Sequence, residues 1–135
     1  MDTTTVKTLQ TGALVFNTDR TDSLLTVNYY DKRARLVQRI SKNHLGGIDN
    51  IQNEYNFSED ILKTTHTHTG SSSGTTLTSV TRNVYDHMGR LKDVRHKIGT
   101  SDTVTIQSLS CNEIGQLKQV FKSIITIFHN YKQKP

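Results

Sequence analysis

One seven-residue pattern, returning four times at nearly constant distance, limits what this chain can fold into more than any other feature. The copies start at Tyr30, Tyr55, Tyr85 and Cys111, in steps of 25, 30 and 26 residues. A period of that size marks a repeat architecture, in which one small supersecondary unit stacks on the next. Aligned without gaps, the second position holds Asp31, Asn56, Asp86 and Asn112, short side chains that fold back onto the backbone as Asx-turns. The fifth holds Ala34, Glu59, Gly89 and Gly115, and the seventh is always aliphatic: Leu36, Ile61, Leu91 and Leu117. Strand, Asx-started turn, a position that suits glycine and a second strand opened by an aliphatic anchor together describe a β-hairpin.

The third copy, Tyr85-Asp86-His87-Met88-Gly89-Arg90-Leu91, is the most complete. Its Tyr-Asp, Gly, Arg and Leu match the core of the YD-repeat, so the chain resembles the Rhs/YD-repeat family over about residues 24–120. The first copy departs at Ala34, the second keeps Tyr55 and Ile61 but has neither Gly nor Arg, and the fourth has Cys111 in place of Tyr. The resemblance implies an all-β array of antiparallel hairpins forming a curved or spiral sheet. In bacterial members such sheets form a shell around a toxic polypeptide, and in animal members an extracellular adhesion scaffold. It further implies a secreted or cell-surface location, further YD repeats as neighbours and an enclosed polypeptide as a possible partner. The self-cleaving core segment of the bacterial proteins and a toxin domain are not found in this sequence. The function implied is structural, with no catalysis and no cofactor.

A non-glycine residue in left-handed geometry costs roughly 1–2 kcal/mol, so Ala34 and Glu59 are expected to sit in a turn of another type. Tyr30, Tyr55 and Tyr85, one per hairpin, are expected to form a column of rings packing on their neighbours. Arg35 and Arg90 follow the turns, placed to stack on a ring or pair with the adjacent Asp.

Apolar residues make up 33% of the chain, against about 45–50% in ordinary globular proteins, so a large sealed core is not expected. The segments divide into a partly irregular 1–23, with a short strand at Ala13–Phe16, the hairpins of 24–120, and an apolar strand with a basic tail over 121–135. Gly46-Gly47 marks a sharp connector, and Gly70 to Gly74 a flexible link that fits the longest step. No apolar run reaches the roughly 18 residues of a membrane span, and residues 1–16 lack the pattern of a secretory signal.

Lys and Arg number 17 against 12 Asp and Glu. The charges are spread through every repeat, which favours a solvated face and makes nucleic acid an unlikely partner, while a basic module for polysaccharide or nucleic acid is the alternative. His66 and His68, two apart, share a strand face, but no acidic residue stands at a ligand spacing and no metal site is expected. Asp31 and Asp86 occupy equivalent turn positions, where two copies use Asn, so they are not taken as an acid–base pair. Cys111, in a Tyr slot, is expected to be a buried structural thiol.

Overall fold

The computed structural model describes residues 8–18, 22–71 and 74–122. These form nine antiparallel strands in a single open sheet whose spatial order is the chain order: β1 (Gly12–Phe16), β2 (Ser23–Tyr30), β3 (Leu36–Lys42), β4 (Ile48–Tyr55), β5 (Ile61–Thr69), β6 (Thr76–Tyr85), β7 (Leu91–Ile98), β8 (Val104–Cys111) and β9 (Leu117–Lys122). Among the described residues there is no helix, and thus none long and apolar enough to cross a membrane. The four heptads close the β2–β3, β4–β5, β6–β7 and β8–β9 hairpins. The fold class implied by the repeat is the one observed.

Register follows from the heptads. In each hairpin the pairing slips by one residue at the first position of the repeat, between Tyr29 and Tyr30, Glu54 and Tyr55, Val84 and Tyr85, and Ser110 and Cys111. A bulge there sharpens the local twist and carries the strand away from its other neighbour. Accordingly the ladder between successive hairpins stops short of the turn, at Gln38↔Gln52 for β3–β4 and at Lys63↔Arg82 for β5–β6.

The expected shortage of core is complete. Among the described residues no hydrophobic side chain is buried, and the buried residues are Asn28, Asn43 and Gly47. Cohesion therefore rests on ladders and on polar cross-links at the ends of strands. Phe57 lies in the turn that follows β4, with its ring exposed. Val120, Phe121 and Lys122 complete β9 of the fourth hairpin rather than opening a separate strand, and the rest of the apolar stretch, with the basic tail, lies outside the described residues.

Candidate functional site: the turns and the seams between hairpins

All four heptad turns share one geometry. The N–H of the Asx residue donates to the carbonyl four residues on, and the N–H three residues on donates back to the Asx carbonyl: Asp31 N–H to Arg35 O at 3.0 Å and Ala34 N–H to Asp31 O at 3.1 Å, with the same pairs at Asn56, Asp86 and Asn112. This is the five-residue hairpin loop in which a tight turn is followed by one left-handed residue. Ala34 (φ 63°) and Glu59 (φ 73°) adopt that left-handed conformation, as Gly89 (75°) and Gly115 (85°) do. The expectation of a different turn type is thus overturned: both residues accept the strain because the side chain of the Asx residue fixes the loop. Asp31 Oδ1 accepts from the N–H groups of Arg33 and Arg35 at 2.8 and 3.0 Å, and Asn56 Oδ1 from Asp60 N–H at 2.8 Å. Ala34→Gly combined with Glu59→Gly should raise stability by about 1 kcal/mol or somewhat more, the relieved strain less the entropy cost of glycine, read from the denaturant midpoint.

The residue after the left-handed position is chosen to suit the Asx residue. Arg35 Nε and Arg90 Nε each donate to Oδ2 of the Asp four residues before, both at 2.7 Å, with the second guanidinium nitrogen at 2.6 and 2.7 Å. Where the carboxylate becomes an amide, the partner becomes an acceptor: Asn56 Nδ2 donates to Asp60 Oδ2 at 2.9 Å, and Asn112 Nδ2 to Gln116 Oε1 at 3.1 Å. The second copy has therefore inverted its cross-link rather than lost it. Arg35 meets both expectations at once, since its guanidinium also lies 4.8 Å from the Tyr55 ring centroid and donates to Asn56 O at 3.3 Å. Arg33 repeats the contact on Phe57, at 5.4 Å from the ring centroid and 3.3 Å from the Phe57 carbonyl.

Both turn aspartates hold their carboxyls below the ordinary value of 3.8. At Asp31 desolvation opposes the shift but is outweighed by the combined bonds from Arg35 and Arg33 and the Arg35 charge. At Asp86 the Arg90 N–H is the largest cause, followed by an opposing desolvation and then the Arg90 side chain. A carboxyl whose folded pKa is depressed gives stability that is present above the unfolded value and lost as pH falls through the folded one. The urea midpoint should therefore fall as pH is lowered from 3.8, and Asp31→Asn with Asp86→Asn should flatten that part of the profile.

A fifth turn of the same geometry sits at the opposite edge, between β3 and β4. Asn43 N–H donates to Gly47 O at 3.0 Å and Gly46 N–H to Asn43 O at 3.1 Å, while Asn43 Oδ1 accepts from Leu45 and Gly47 N–H. Asn43 Nδ2 then reaches the next hairpin, donating to Thr69 O at 2.9 Å. Gly47 lies so close beneath that strand that a Cβ on it would fall 1.8 Å from Thr69 O.

The tyrosines join hairpins through their hydroxyls and do not stack ring on ring. Tyr30 Oη donates to Gln10 O at 2.9 Å, Tyr55 Oη to Leu36 O at 2.8 Å and Tyr85 Oη to Ile61 O at 3.0 Å. Each of those carbonyls accepts a second bond from an asparagine two residues before the tyrosine: Asn28 at 2.8 Å, Asn53 at 3.0 Å and Asn83 at 2.9 Å. Leu36 and Ile61 are the aliphatic anchors of the preceding heptads. The Asn-x-Tyr clamp thus fills both lone pairs of a carbonyl that the bulged strand no longer reaches through its backbone. At the β7–β8 seam Leu109 and Cys111 stand where Asn and Tyr are needed, and no described side chain donates to Leu91 O. That seam carries an additional bulge between Val94 and Arg95 and holds Ser108 Oγ on Asp93 Oδ1 at 2.7 Å. Cys111 is half-buried, so the expectation of a buried thiol is not met.

The two histidines on β5 meet an acid that their spacing did not reveal. Asp49, directly opposite His68 on β4, accepts from His68 Nδ1 at 2.5 Å and lies 3.9 Å from His66 Nε2. This carboxylate is engaged with one ring rather than converging with both on an empty point, and among the described residues no group of three or more His, Cys, Asp or Glu is placed to hold a metal ion.

No protein-family model matches the chain, and no curated protein matches it.

Proposed function

We propose that this chain is a non-catalytic structural segment of a YD-repeat β-shell, the kind of wall that in the Rhs family encloses a toxic polypeptide or forms a surface scaffold, with further YD repeats as its neighbours. The observation that carries this reading is the recurrence of one turn and one clamp at the period of the repeat. The first and second units offer their anchor carbonyls, Leu36 O and Ile61 O, to the Asn-x-Tyr of the unit that follows, so the unit is a joint as well as a strand pair. Repeats coupled only to their neighbours give stability that grows with their number.

The test is duplication of one unit. A second copy of residues 76–101 placed after Ser101 preserves the 26-residue step and puts a complete clamp against Leu91 O. The inserted hairpin should show amide protection equal to that of β6 and β7 and should raise the denaturation midpoint. An unprotected insert, or one that lowers the midpoint, would overturn the modular wall.

A further inference from the structure

Sheet register collects cations that the sequence scatters. Lys63, Arg82 and Arg95 stand directly opposite one another on β5, β6 and β7, and Lys97, two residues beyond Arg95, shares their face opposite Val80. Like charges directly opposed across strands some 5 Å apart oppose folding. Two acids lie near: Glu54 pairs with Lys63, and Asp93 stands 3.7 Å from Arg95 while also accepting from Ser108. Arg82 and Lys97 make no ion pair among the described residues. Together with Arg95 they line a concavity of about 400 Å³ completed by Val80, Gly99 and Thr103.

We propose that this concavity binds a small, multiply charged phosphate ligand of the diphosphate type. Two arginine forks match phosphate oxygens in pairs, and the lysine adds a point charge about two residues along the strand. The site is short. Its row of cations ends at Glu54 on one side and at Thr105, the partner of Arg95, on the other, so it offers no continuing track of the kind that holds a charged polymer. No aromatic side chain lines it for a base to stack on. A bound diphosphate neutralises the opposed arginines, which accounts for a face that the sheet otherwise maintains at a cost. This inference does not depend on the scaffold reading, which the duplication experiment tests separately.

The experiment is calorimetric titration of the full chain with pyrophosphate at low salt, alongside thermal unfolding. Saturable binding that falls about tenfold or more in Arg82→Thr and in Arg95→Thr, and is unchanged in Lys118→Thr, is expected from the loss of charge-assisted bonds. Without ligand, Arg82→Thr should melt no lower than the parent, because a like-charge neighbour has gone, yet pyrophosphate should no longer raise its Tm. A residue that serves the fold alone would show the reverse. The proposal is overturned if millimolar pyrophosphate gives no saturable binding, if Arg82→Thr binds as the parent does, or if sulfate binds equally well. Tighter binding per anionic group of a single-stranded oligonucleotide or a sulfated polysaccharide would overturn it as well.

Discussion

Gly47→Ala should destabilise the chain by about 3 kcal/mol, far more than the same change at its neighbour Gly46. Backbone conformation alone ranks the two the other way, since Gly46 is left-handed at φ 78° and Gly47 is not. Space decides the outcome. A Cβ at Gly46 meets nothing within 4 Å, whereas one at Gly47 would lie 1.8 Å from Thr69 O, 2.7 Å from Thr69 C and 3.0 Å from Gly70 C. Those are backbone atoms at the end of β5, so no side chain can swing aside. The strand must move, and with it goes the bond from the buried Asn43 to Thr69 O. Overpacking of this kind costs roughly 1–3 kcal/mol and a lost bond to a buried amide roughly 1–3 more, whereas left-handed strain at Gly46 costs roughly 1–2. Equilibrium urea denaturation of both variants settles the ranking, and equal losses would show that the β3–β4 turn does not bear on β5.

The clamp gives the second large effect. Asn53→Ala with Tyr55→Phe strips both donors from Leu36 O and should cost about 2–3 kcal/mol, with each single change costing well under half of that because one donor remains. A double-mutant cycle from denaturant midpoints measures the excess, and strictly additive losses would mean that the two side chains do not share an acceptor. The converse change tests the seam that lacks the device. Leu109→Asn with Cys111→Tyr places both donors opposite Leu91 O and should raise stability by about 1–2 kcal/mol, seen as slower amide exchange in β7 and β8 than in the parent.

The hairpins and their order were legible because the heptad combines a turn former, a left-handed position and an aliphatic anchor, each with its own local reason. The joints were not, because they lie one step outside the pattern or disguise themselves as its failure. Asn28, Asn53 and Asn83 recur two residues before the three tyrosines, a signal present in the sequence but hidden by starting the motif at Tyr. Lys42-Asn43-His44-Leu45-Gly46-Gly47-Ile48 fits the heptad at the Asx, glycine and aliphatic positions, yet its Lys start made it read as a plain glycine loop. The change from Arg35 and Arg90 to Asp60 and Gln116 looked like decay and is an exchange of donor for acceptor. Asp49 and the cations Lys63, Arg82, Arg95 and Lys97 meet only through strand register, which no local spacing encodes.

With no buried apolar side chain among the described residues, and each strand touching only the strands before and after it, there is no centre whose loss would bring the whole sheet down. Damage at one junction stays there, and the chain should come apart like a zip from its weakest tooth, the β7–β8 junction, while the hairpins on the other side stay closed. The same property frees evolution to change the number of teeth without redesigning any of them.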